Sequence, residues 1–127
     1  MNSNTFDRKN YLDGNKMTPN IFTKLSMENI DKNKIIIKVD LLRATAHEAK
    51  SFSEYLDQVP SKDLYLIDLS KCSFIDSTFL GSIILFTKEQ TNKVKLIVSD
   101  KKQLAIFKIS KIDSLFDIYT SIEEALN

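Results

Sequence analysis

Asp76-Ser77-Thr78 places a carboxylate and two hydroxyls directly ahead of an apolar run from Phe79 to Phe86. In that run Leu80, Ile83, Ile84 and Thr87 recur at i, i+3, i+4 and i+7, the spacing of a helix face. A helix that starts here leaves its first N–H groups unpaired, and a Ser or Thr oxygen accepts from one of them. Ser77 or Thr78 is therefore expected as the N-cap. The same N–H groups, with the helix dipole, favour an added anion such as phosphate. From the residues alone, capping is the commoner role for a serine at this place.

Other arrangements that could carry chemistry are incomplete. The one histidine, His47, falls on the polar side of a helical pattern, without a second histidine or a cysteine beside it. No Ser-His-Asp triad can be built around Ser77 on that basis, and G-x-S-x-G is absent. Gly14 and Gly81 are the only glycines, so neither a P-loop nor a G-x-G-x-x-G turn can be written. Gly81 lies inside the helical run, where it costs about 1 kcal/mol relative to Ala; close approach of another backbone is the expected reason. Asp40, Asp68 and Asp100 stand near strand ends and could hold Mg²⁺ at a sheet edge, but turns and caps explain aspartate there more simply. Cys72 is a lone cysteine, which leaves no internal disulfide and reads as a buried or half-buried small residue. The expectation is a protein without enzymatic activity, metal or cofactor.

The elements that must position the corner follow from the pattern. Leu64 to Leu69 is almost wholly apolar and suits a strand buried on both faces; Ser70-Lys71-Cys72-Ser73 links it to the corner. Upstream, Ile21 to Ile30 alternates loosely, Asp31-Lys32-Asn33-Lys34 makes a turn, and Ile35 to Val39 is a β-branched strand. So short a link implies an antiparallel pair. Arg43 to Val59 reads as a helix with the stripe Ala46, Ala49, Phe52, Leu56 and Val59, capped at or just before Thr45 and stopped by Pro60. Downstream, Val94 to Val98 is a buried-type strand. Asp100 or Ser99 caps a helix to about Ile109 whose inward side uses Leu104, Phe107 and Ile106. Lys111 falls at a left-handed C-cap position, Leu115 to Tyr119 is a last short strand, and Ser121 opens a closing helix. Strands alternating with helices imply parallel neighbours and right-handed crossovers. The expected fold is α/β: a mixed five-stranded sheet, its first strand antiparallel, with four helices.

At 127 residues the chain makes one domain, of a size that buries roughly two-thirds of its unfolded surface. Residues 1–20 are rich in Asn, carry Gly14 and Pro19 as breakers, and are expected to be a mobile tail on a domain spanning 21–127. Eighteen basic residues against seventeen acidic ones supply no net field for nucleic acid or an anionic membrane. No apolar run nears about 18 residues and no export signal opens the chain, so a cytoplasmic protein is expected.

IDSTFLGSIIL, in its strand–loop–helix setting, resembles the signature of the STAS domain, the fold of bacterial anti-sigma factor antagonists, usually written DS-[ST]-G-LG. The resemblance extends over roughly Phe22 to Asn127 and includes the closing run IFKISKIDSLFDIYTSIEEAL. Phe79 stands where the family usually has Gly, Lys111 occupies another common Gly, and Leu42 sits where many phosphoswitched members carry Asp. The resemblance implies an antagonist that binds an anti-sigma factor when unphosphorylated and is released on phosphorylation. The implied acceptor is Ser77, with Thr78 as the alternative. Asp76, Ser77, Thr78, Phe79 and Ser82 are the implied partner-binding residues. The implied partners are an anti-sigma factor that is also a serine kinase, supplying ATP and Mg²⁺, and a PP2C-type phosphatase. The alternative is an unphosphorylated STAS module that holds a small ligand or scaffolds a regulatory complex.

Overall fold

The computed structural model describes residues 21–127; the expected tail, residues 1–20, lies outside the described residues. After a 3₁₀ turn at Ile21–Lys24, the elements run β1 (Leu25–Asp31), β2 (Lys34–Val39), β3 (Arg43–Ala44), α1 (Ala46–Leu56), β4 (Leu64–Asp68), β5 (Phe74–Ile75), α2 (Ser77–Glu89), β6 (Lys93–Ile97), α3 (Lys101–Ile109), β7 (Asp117–Tyr119) and α4 (Ile122–Leu126), with a second 3₁₀ turn at Ile112–Ser114. Five strands form the main sheet in the order β1-β2-β4-β6-β7. β1 pairs antiparallel with β2, and the remaining pairs are parallel. The expected α/β architecture with its four helices is the one observed.

Strand alternation assigns the two faces of the sheet. Ile35, Ile37 and Val39 of β2, Tyr65 and Ile67 of β4, and Val94 and Leu96 of β6 point into one core. There they meet Phe52 of α1, Phe79, Ile83 and Phe86 of α2, and Phe107 of α3. The intervening Ile36, Leu66 and Ile97 point the other way and pack with Ala125 of α4. Apolar residues on both faces of consecutive positions are what a strand covered on both sides requires. On the α4 face Lys95 donates from Nζ to the Ala125 carbonyl at 2.6 Å and lies 4.9 Å from the Tyr119 ring centroid. It thereby places a cation at the carbonyl end of α4.

Several details differ from the sequence reading. The first helix begins at Ala46, not Arg43, because Arg43 and Ala44 are extended and pair in parallel with Phe74 and Ile75 as a separate two-stranded sheet. Thr45 caps α1 as expected: its Oγ1 accepts from the His47 N–H at 3.2 Å, and Glu48 closes a capping box by accepting from the Thr45 N–H at 2.9 Å. Ala46 is exposed at the end of the stripe instead of buried in it. In α3 Phe107 is buried and Leu104 packs against the core as expected, but Gln103 also turns inward, while Ile106 is 51% exposed. Gly81 faces open space, with nothing beyond its own stretch of helix within 4 Å of where a Cβ would stand, so close approach of another backbone within the fold does not explain it. Lys111 does take the left-handed conformation, at φ 62° and ψ 24°, a site where Gly would carry less strain. No helix among the described residues is long and apolar enough to cross a membrane.

Candidate functional site

The corner between β5 and α2 is fixed before α2 begins. Leu42 offers one carbonyl to three donors: the Ser73 N–H at 2.8 Å, the Phe74 N–H at 3.3 Å and the Ser73 hydroxyl at 3.2 Å. β5 then pairs with β3, and the Asp76 N–H donates to the Ala44 carbonyl at 2.9 Å. Each of these bonds occupies a backbone group that a loop would otherwise leave to solvent. The chain therefore reaches the first turn of α2 along a hydrogen-bonded path.

Asp76, not Ser77 or Thr78, is the N-cap of α2. It has an extended backbone, φ −86° and ψ 171°, and its Oδ1 accepts from the Phe79 N–H at 2.8 Å. Its other oxygen, Oδ2, accepts from the Ala46 N–H at 2.7 Å, at the first residue of α1. One carboxylate thus satisfies orphan donors at the N-termini of two helices and sits at the positive end of both dipoles. Ser77 and Thr78 follow in the first turn with helical backbone, and both are exposed. Because Asp76 takes the capping role, their hydroxyls are not needed for it.

The remaining expected site residues separate. Phe79 is 0% exposed and stacks on Phe52 of α1, ring centroids 4.4 Å apart and 14° from parallel. Its place among partner-binding residues is therefore corrected. The side chain points inward at N3, across from α1, and belongs to the core that joins the two helices. Ser82 is half-buried and its hydroxyl donates to the Ala49 carbonyl of α1 at 3.4 Å. The segments that lead into the corner expose apolar side chains of their own. Leu42 is 69% exposed, and Phe74 is partly exposed with the Arg43 guanidinium 4.4 Å from its ring centroid. Along the first turns of α2 the exposed residues after Ser77 and Thr78 are Gly81 and Leu85, the latter 56% exposed.

The strand-end aspartates serve local structure. Asp68 Oδ1 accepts from the Ser70 N–H at 2.9 Å, Asp100 caps α3 by accepting from the Gln103 N–H at 3.1 Å, and Asp40 lies 3.9 Å from the Lys71 ammonium. Among the described residues no group of three or more His, Cys, Asp or Glu side chains comes together to hold a metal. Cys72 is buried, and that burial, with the nearby carboxylates of Asp68 and Asp40, pushes its thiol pKa up to about 12. His47 is exposed.

No family model matches the chain. Its structure is similar to that of an anti-sigma factor antagonist from Mycobacterium paratuberculosis, with a TM-score of 0.71 and 16% identity, over 80% of this chain and 89% of that one. It is also similar to a candidate anti-sigma factor antagonist from Thermotoga maritima, with a TM-score of 0.66 and 20% identity over 80% of this chain and 91% of the other. A solution structure of the Thermotoga protein gives a TM-score of 0.64, over 96% of this chain and 95% of that one. The fold is that of these antagonists.

Proposed function

We propose that this protein is an anti-sigma factor antagonist of a partner-switching module, which binds an anti-sigma factor when Ser77 is free and is released when Ser77 is phosphorylated. The observation that carries this reading is the exposed Ser77 hydroxyl in the first turn of α2, directly after the Asp76 cap, on the fold of anti-sigma factor antagonists. In the phosphorylation step the Ser77 oxygen forms a bond to the γ-phosphorus of ATP, the bond to the ADP oxygen breaks, and the hydroxyl proton leaves to a base of the partner kinase. ATP and Mg²⁺ come with that kinase, and a PP2C-type phosphatase reverses the modification by hydrolysis. The chain itself acts as substrate and binding partner, not as an enzyme.

The switch is electrostatic. Phosphorylation adds about −1.5 to −2 charges at neutral pH. The helix N-terminus tolerates that charge, and Asp76 stays held by the amides of both Ala46 and Phe79, so the fold survives. A partner that covers Ser77 has to bury the phosphate beside the Asp76 carboxylate. Left unpaired there, the charge costs several kcal/mol, enough to abolish a complex of about micromolar affinity. The outward residues Leu42, Phe74, Gly81 and Leu85 supply the apolar remainder of the contact.

The test uses Ser77→Ala and Ser77→Asp as baits in the protein's own cell extract, followed by calorimetric titration of the captured partner and phosphopeptide mapping of the wild-type chain. Both variants keep Asp76 as the cap, so both should fold with nearly wild-type stability. Ala should bind and Asp should not. Equal affinities would leave the second reading, an unphosphorylated scaffold, which the apolar Leu42 at the corner favours. Label on Thr78 in place of Ser77 would move the acceptor by one residue.

A further inference from the structure

We propose that Gln103 is the positioning residue of the Ser77 corner, acting from α3 through the backbone of Ser73. Gln103 is 2% exposed, and its side chain is the one buried polar side chain among the described residues. Its Nε2 donates to the Ser73 carbonyl at 3.3 Å, across 30 residues of chain. Its Oε1 is buried and accepts from no protein donor among the described residues. A leucine or methionine would fill this core position without leaving a buried carbonyl oxygen unpaired, and such an oxygen opposes folding. The amide therefore has a use other than packing, and Ser73 is what it reaches.

Ser73 is the residue from which the corner hangs. Its N–H and hydroxyl go to Leu42, the next residue opens β5, and two residues beyond β5's first position Asp76 caps α2 and holds α1. Its carbonyl is the remaining polar group at this point, and Gln103 occupies it. The β5 segment is only Phe74–Ile75, so its two-residue pairing with β3 is a weak anchor by itself. Gln103 adds a bond from α3, a helix whose own first turn is fixed by the Asp100 cap. The geometry stands independently of phosphorylation; its functional weight rests on the reading of Ser77 as the acceptor.

Amide hydrogen exchange, followed by NMR on the full chain, tests the proposal. In the Gln103→Met variant the hydrogen-bonded amides of Ser73, Phe74 and Asp76 should exchange about tenfold faster, the effect of losing one hydrogen bond that holds the segment, while amides of β4 and β6 keep their wild-type rates. Acceleration spread evenly over the whole domain would overturn the proposal, since it would make Gln103 an ordinary core residue. Unchanged rates at all three corner amides would overturn it equally. Should Gln103→Met not fold, the wild-type protein still decides. One Gln103 side-chain amide proton should be protected from exchange and close to Ser73, and solvent-like exchange of both protons would overturn the assignment. None of these readouts depends on a kinase or a partner, so failure of the phosphoswitch is recorded separately by the Ser77 variants.

Discussion

Phe79 shows how a single position can be read from the motif and still be misplaced. The motif leads to a small residue there, and a large aromatic at the switch corner invites a surface role. In the structure the ring is enclosed and stacked on Phe52, where it ties α2 to α1. Aromatic pairs of this kind add to the burial of the ring itself. Phe79→Ala should therefore lower stability by about 3–5 kcal/mol, the range for emptying an aromatic site in a core. Urea denaturation gives the stability, and titration of the partner at a temperature where the variant is folded gives the affinity. The expected outcome is a large loss in the first and little change in the second. A variant of wild-type stability with weakened binding would restore the surface role.

At the scale of elements, the joint between α1 and α2 is the organising feature, and Asp76 is its centre. Its two oxygens accept from the Phe79 and Ala46 amides at 2.8 and 2.7 Å. Removing a cap costs about 1 kcal/mol, and a hydrogen bond to a charged group contributes about 1.5–3 kcal/mol, so Asp76→Ala should cost roughly 2–4 kcal/mol. Asp76→Asn keeps an acceptor for one amide but turns an NH₂ toward the other, and should fall between Ala and wild type. Urea melts of the three proteins check that order. A loss of under about 0.5 kcal/mol for Asp76→Ala, the scale of an ordinary surface change, would mean that the bridge between the helices contributes nothing.

Most of this element layout was legible in the chain, because β-branched runs and helical stripes mark buried faces directly. The sheet, its antiparallel first pair and the caps at Thr45, Asp100 and Ser121 all follow from such local signals. Three of the misses share a physical cause, since each depends on a contact distant in sequence. Arg43–Ala44 is extended because Phe74–Ile75 pairs with it, 31 residues away in register. Asp76 outcompetes Ser77 as cap because it also satisfies Ala46. Gln103 turns inward, against its polarity, because the Ser73 carbonyl is there. No periodicity in a single segment encodes these.

At the scale of the molecule, the ion pairs among the described residues contribute little to stability near neutral pH. The ion pairs Lys34–Asp31, Lys38–Glu28, Lys71–Asp40 and Lys93–Asp117 all join exposed side chains. Exposed pairs of that kind contribute little and weaken with salt. Stability therefore rests mainly on the core, and one group inside that core makes it depend on pH. Burial, reinforced by Asp68 and Asp40, pushes the Cys72 thiol up to about 12 from an ordinary 9.0. A folded-state pKa raised in this way gives a contribution that is complete below the unfolded pKa and is lost as pH rises toward the folded one. Between about pH 9 and pH 12 the unfolded chain ionises at Cys72 while the native chain does not. The slope approaches about 1.4 kcal/mol per pH unit for one group. The measurement is a comparison with Cys72→Ala, which removes this one group and leaves every other in place. At pH 7 the wild type should be the more stable, because Ala leaves the thiol's space empty. That advantage should shrink above pH 9 and reverse before pH 12, read from urea midpoints at each pH. Parallel pH profiles for the two proteins would show that Cys72 reaches solvent in the native state. In that case a thiol reagent at pH 8 would also label it at the rate of a free cysteine, where a buried thiol reacts only as fast as the domain opens.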